Sequence, residues 1–235
     1  LSAFHFKQFD VQHSKGFKVG TDGVLLGAWA QPGDAKRILD IGTGTGLLAL
    51  MCAQKNPEAF IDAIDIDRDS CEEAKKNFEH SPWANKMSVQ FTNLVKFSHA
   101  HPSEYDFIIC NPPYFSDSTP SPNTSKAVAR HGIHFSLQDL AESVVELLTS
   151  DGKFALILPD HVQVKFEGYA EDNALFCFRK LKAYNKEGKE KAFILSEWTF
   201  EEGEAIGETL NIRNAEGEYS TEHLKLTEAF YLDRE

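Results

Sequence analysis

Cysteine pairs, metal-ligand spacings and long apolar runs are all missing from this chain, and each absence removes a class of function. The four cysteines, Cys52, Cys71, Cys110 and Cys177, stand apart in mostly apolar surroundings with no C-x-x-C pair. They read as reduced core residues, which excludes a disulfide framework and a thiolate metal site. The nine histidines show no ligand pattern: His131 and His134 are three apart, but no cysteine or carboxylate completes a site, and no metal is expected. Nothing approaches a membrane span and no charged-then-apolar leader opens the chain, so the cytoplasm is the expected location and no membrane partner is expected. No repeat or linker divides the 235 residues, whose 42% hydrophobic and 26% charged content suits one domain with a full core.

Positive charge is also scarce. Lysine and arginine number 24 against 36 acids, a net charge of −12, which taken uniformly would repel a polyanion. The deficit is not uniform, because from Glu197 onward eleven acids face three bases. By contrast, Arg179, Lys180, Lys182, Lys186, Lys189 and Lys191 gather in one short stretch with only Glu187 and Glu190 among them. That cluster is either a nucleic-acid track or a set of solvated hairpin lysines.

The chemistry is carried by Asn111-Pro112-Pro113-Tyr114, which follows the apolar run Phe107-Ile108-Ile109-Cys110. The run reads as a buried strand that Asn-Pro must stop. Each proline lacks a backbone donor and holds the residue before it extended, so the carbonyls of Asn111 and Pro112 can face one pocket. Two acceptors there can take both N–H protons of a planar amino group and turn its delocalised lone pair towards an electrophile. Tyr114 can stack on the flat substrate. Taken alone, the same residues equally describe a strand end with Tyr114 in the core.

A second motif changes that balance. Arg37 to Gly46, RILDIGTGTG, reads as a strand ending at Asp40, a turn with Gly42, Gly44 and Gly46, and then a helix beginning Leu47-Leu48. Glycines at such a turn let backbone approach a ligand where open α/β sheets bind nucleotides. The dinucleotide pattern G-x-G-x-x-G fails at its third glycine, and no Gly-Lys-Ser/Thr follows for a phosphate loop. A second strand, Phe60 to Ile64, ends at Asp65, where a carboxylate can accept from both hydroxyls of a ribose; Asp67 and Asp69 can instead cap the next helix. A third, Met87 to Phe91, leads to Thr92-Asn93. Strands and helices alternate through Lys153 to Leu158, with helices near Leu47–Gln54, Ser70–His80 and Ser136–Leu148, which predicts a mostly parallel sheet with helices on both faces. Leu175 to Ala183 and Ala192 to Phe200 read as a hairpin closing that sheet. Gly20-Thr21-Asp22 reads as a helix start capped by Thr21 or Asp22. The stretch SDSTPSPNTS, Ser116 to Ser125, is either a mobile loop over the site or a plain disordered insert.

Asp40, Gly42, Gly44 and Gly46 resemble the first motif, D/E-x-G-x-G-x-G, of class I methyltransferases that use S-adenosyl-L-methionine. The resemblance implies a Rossmann-like α/β fold, a seven-stranded, mostly parallel sheet whose last strand is antiparallel, and S-adenosyl-L-methionine as cofactor. It implies that Asp40 and the glycines hold the methionine part and Asp65 the ribose. Asn93 stands where many adenine methyltransferases carry an acid that contacts the cofactor's adenine, and its carbonyl can accept the same bond. The chain is similar almost end to end to the bacterial tRNA1(Val) adenine-N6 methyltransferase family, through FHFKQF at the start, KVGTDGVLLGAW, NPPYF, ARHGIHFSLQDL at 129–140 and LNIRNAEGEY with LTEAFYL at the end. That family methylates the purine just 3′ of the anticodon. The resemblance implies valine tRNA as partner, Asn111, Pro112 and Tyr114 as catalytic residues, and Thr21 among the cofactor residues. It places Pro113, Phe115, Lys126, Arg130 and His131 on the substrate side. Residues 1–35 would cover cofactor and substrate, 36–200 form the catalytic core, and 201–235 an acidic extension. Competing readings are glutamine methylation in a release factor, DNA adenine methylation, and an RNA-binding module whose site is idle.

Overall fold

After a two-stranded antiparallel ribbon, β1 (Ser2–His5) and β2 (Asp10–His13), the chain alternates helix and strand as its hydrophobic pattern predicts. The structure is a computed structural model that describes residues 2–13, 19–112, 135–190 and 192–232. Helix α1 (Thr21–Trp29) leads to the central strand β3 (Arg37–Ile41), which pairs in parallel with β4 (Phe60–Asp65) on one side and β6 (Tyr105–Cys110) on the other. Beyond β4 lies β5 (Met87–Phe91), and beyond β6 lies β7 (Leu148–Pro159), both parallel to their neighbours. Ile38, Leu39 and Ile41 are buried on both faces of the sheet, as a strand covered by helices on each side requires. The covering helices are α2 (Leu47–Lys55), α3 (Arg68–Glu79), α4 (Leu94–Ala100), α5 (Leu137–Leu147) and α6 (Asp160–Asp172). Helix α3 turns Cys71, Ala74 and Phe78 inward at helical spacing, while α5 opens on a capping box between Ser136 and Asp139.

The expected hairpin is present as β8 (Phe176–Tyr184) and β9 (Ala192–Thr199), with β9 inserted between β7 and β8 and antiparallel to both. An eighth strand, β10 (Ile206–Asn211), comes from the acidic extension and adds in parallel to β8. It lies at the sheet edge with Gly207 and Glu208 exposed, so a charged, mostly polar segment blunts that edge. Helix α7 (Thr221–Thr227) then packs against α1, and the chain returns to the N-terminal ribbon, where Phe6 and Tyr231 stack at 6.0 Å.

Half of the basic cluster is ion-paired within the fold. Arg179 binds Glu197 at 2.9 Å and lies 4.0 Å over the Trp29 ring, while Lys180 and Lys182 pair with Glu167 and Asp160 of α6. Lys186 and Lys189 remain at the hairpin tip, and Lys191 lies outside the described residues. No helix among the described residues is long and apolar enough to cross a membrane, and no cluster of three or more His, Cys, Asp or Glu among them is placed to hold a metal.

Candidate active site

Three parallel strands, β3, β4 and β6, end on one edge of the sheet, and each carries a candidate side chain there. The turn after β3 carries Gly42, Gly44 and Gly46 at φ values of 68°, 56° and 84°, in the left-handed region that glycine reaches without strain. A Cβ at Gly42 or Gly44 would meet nothing within 4 Å, whereas one at Gly46 would lie 2.5 Å from the Phe78 ring. The first two glycines therefore keep space open, and the third lets α3 pack against the turn. Gly46 is also the N-cap of α2 and has no side chain to offer.

Asp40 supplies what Gly46 lacks. Its Oδ2 accepts from the Ala49 amide in the first turn of α2 (3.1 Å) and from Thr43 Oγ1 (2.6 Å). Its Oδ1 is buried without a partner among the described residues. Burial pushes the Asp40 carboxyl up to about 7, opposed by those two hydrogen bonds and reinforced by the nearby charge of Asp65. Asp65, at the end of β4, accepts from Gly44 N (2.9 Å) and Asp67 N (2.8 Å), and burial raises it above the usual carboxylate range. Asp67 caps α3 through Ser70. Asn93, at the end of β5, caps α4 by accepting from Lys96 N at 3.3 Å, so a second lone pair of that carbonyl is what it can offer a ligand.

Asn111 and Pro112 follow β6 at the same edge, Asn111 half-buried and Pro112 buried. Together with Asp22, Gly23, Gly42, Gly44 and Leu47, Asn111 lines a cleft of about 230 Å³. Asp40, Asp65 and Asn93 are not on that lining. No lysine or arginine appears among the described residues that line it, while Asp22 does, and Asp40 and Asp65 stand behind the turn. A cleft of this polarity favours a cationic ligand over a phosphate. Asn111 Nδ2 donates to Asp22 Oδ2 across 3.3 Å.

Helix α1 corrects one expectation: Gly20, in extended conformation at φ −81°, is its N-cap, and neither Thr21 nor Asp22 caps it. Asp22 is turned to Asn111 instead. Thr21 is exposed and lines, with Asp22, a neighbouring cavity of about 960 Å³, not the glycine cleft. Sequence reasoning thus missed Asp22 as a site residue, since its short distance from Asn111 spans 89 positions of chain. Pro113, Tyr114, Phe115, Lys126, Arg130 and His131, with the stretch Ser116 to Ser125, lie outside the described residues.

Residues 14–167 match the family model of the methyltransferase small domain. The chain is 40% identical to the tRNA1(Val) (adenine(37)-N6)-methyltransferase of Bacteroides thetaiotaomicron, with 97% of each chain covered. It is 36% identical to the protein of the same name from Yersinia pseudotuberculosis, over 98% of this chain and 92% of that one. Among solved structures, a predicted O-methyltransferase from Agrobacterium tumefaciens shares the fold at a TM-score of 0.65 and 13% identity, over 89% of this chain and 96% of that one.

Proposed function

The chain belongs to the methyltransferase small-domain family and, within it, to the tRNA1(Val) (adenine(37)-N6)-methyltransferases, and from that premise we propose that it methylates the N6 amino group of the adenine just 3′ of the anticodon in valine tRNA. The observation that carries the reading is the position of Asn111, an amide at the end of β6 on the wall of a glycine-lined, acidic cleft. The cofactor is S-adenosyl-L-methionine. When bound, it supplies a methyl group on a positively charged sulfur, which leaves as a neutral thioether as the acceptor nitrogen takes the methyl.

The residues present fit that cofactor. Open space over Gly42 and Gly44 admits a ligand against the backbone, and the unpartnered Oδ1 of Asp40 suits its cationic amino-acid end. Asp65 takes the ribose hydroxyls, Asn93 the adenine, and Thr21, on the lining of the larger cavity, completes the cofactor side. On the acceptor side, the target base leaves its stack, Tyr114 stacks on it, and Pro113, Phe115, Lys126, Arg130 and His131 hold the surrounding nucleotides. Asn111 Oδ1 and the Pro112 carbonyl accept the two N6 protons and direct the lone pair at the methyl group. No strong base is needed, because the amino group becomes acidic only as the new bond forms and its proton departs to water. Asn111→Ala is expected to bind cofactor normally and to lose transfer by about 100-fold or more. Unchanged turnover in that variant removes the proposed mechanism.

A further inference from the structure

An asparagine can present either its oxygen or its amine to a substrate, and only the oxygen can accept from an N6 amino group. In the structure, Asn111 Nδ2 donates to Asp22 Oδ2 at 3.3 Å. A carboxylate offers acceptors only, so the opposite rotamer would set two oxygens against each other. The amide is therefore held with its amine towards α1, and no hydrogen bond engages its oxygen among the described residues. We infer that Asp22 is a positioning residue for methyl transfer, fixing Asn111 so that Oδ1 and not Nδ2 meets the acceptor amino group. This rests on the function proposed above and adds to it a residue from the opening turn of α1.

Local packing supports the assignment independently. A Cβ at Gly23 would lie 3.1 Å from Leu47 Cδ2, tighter than ordinary contact, so the missing side chain lets the first turn of α1 seat closely on α2, while towards Asn111 Nδ2 it would stand at an ordinary 3.6 Å. One turn on, a Cβ at Gly27 would fall 2.4 Å from Met51 Sδ, so its absence also seats α1 on α2. The far end of α1 is fixed by Lys55, whose ammonium donates to the carbonyls of Ala28 and Ala30. Asp22 is thus delivered by an anchored helix. It also borders both the glycine cleft and the larger neighbouring cavity. A carboxylate accepting from Nδ2 also polarises the amide and strengthens Oδ1 as an acceptor while the substrate nitrogen gains positive charge.

The test compares Asp22→Leu, which removes the acceptor at similar size, with Asp22→Asn, which keeps a carbonyl there. Three measurements apply: single-turnover transfer to unmodified valine tRNA, binding of S-adenosyl-L-homocysteine, and the side-chain amide resonance of Asn111, assigned by its loss in Asn111→Asp. Asp22→Leu should lower the transfer rate about tenfold to a hundredfold, leave ligand binding within about twofold, and shift the Asn111 resonance; Asp22→Asn should retain transfer within about fivefold. Wild-type transfer in Asp22→Leu overturns the inference, as does an equal loss in both variants with ligand binding gone, which marks a purely structural role. If the wild-type protein itself leaves tRNA unmethylated, the functional reading fails, and an unmoved Asn111 resonance in Asp22→Leu then separately overturns the contact.

Discussion

Alanine at Gly44 and at Gly46 should separate ligand space from packing space within one turn. Both residues have positive φ, so each substitution carries about 1–2 kcal/mol of backbone strain. The surroundings then differ. At Gly44 the new methyl meets nothing within 4 Å, and the destabilisation stays at that value, about 2–8 °C in melting temperature for a chain of this size. At Gly46 the methyl would fall 2.5 Å from Cε1 of Phe78, a fully packed ring, which adds about 1–3 kcal/mol of overpacking. Gly46→Ala should therefore melt well below Gly44→Ala. Cofactor binding should run the other way: Gly44→Ala places its methyl on the cleft wall and should weaken S-adenosyl-L-methionine by tenfold or more, about 1.4 kcal/mol, despite its milder stability loss. Calorimetric titration and thermal melts of both variants read the two effects. A Gly44→Ala protein that binds cofactor as tightly as the wild type would refute the assignment of that open space to a ligand. Equal melting temperatures would refute the Phe78 contact as the role of Gly46.

Two further substitutions probe the frame behind the site. Asp40 has a folded-state carboxyl raised to about 7 from an ordinary value near 4, so its proton is held more tightly in the folded chain. Its contribution to stability is full at the acid end, falls as pH rises from about 4 through about 7, and is level above that; Asp40→Asn, which keeps an acceptor for Thr43 and Ala49, should lose this slope. Urea unfolding of both proteins from pH 5 to pH 8 reads it, and a constant difference between them contradicts the burial argument. Glu197 is 1% exposed and holds both Arg179 and the Gln31 amide, so Glu197→Ala should strand a mostly buried guanidinium and destabilise by about 3–5 kcal/mol. A loss below 1 kcal/mol in denaturant unfolding would show that water reaches Arg179 readily.

Where sequence and structure agree, one short-range rule was enough. Apolar runs such as Ile38-Leu39 and Phe107 to Cys110 are buried on both faces and so lack any alternation to confuse them, and the glycine turn announces the strand end that precedes it. The missed elements lacked such a rule. β10 is an edge strand whose residues Ile206 to Thr209 are exposed, so neither apolar run nor alternation marks it. α6 begins behind Pro159 without a side-chain cap and carries Val164 and Tyr169 on its exposed side, which blurs its apolar stripe. The ion pairs of Arg179, Lys180 and Lys182 had no mark in the sequence, because their acidic partners, Asp160 and Glu167 of α6 and Glu197 of β9, are brought to them only by folding. The Asp22–Asn111 contact is of the same kind: a helix start suffices to explain Asp22 in sequence, and tertiary structure gives it a different partner.

The central claim is tested most directly by incubating the protein with labelled S-adenosyl-L-methionine and unmodified valine tRNA, with a release factor and duplex DNA alongside, and identifying the methylated product after digestion. The account predicts N6-methyladenosine confined to the anticodon loop, abolished by Asn111→Ala. Label on glutamine or on DNA, or no label anywhere while cofactor remains bound, would contradict it.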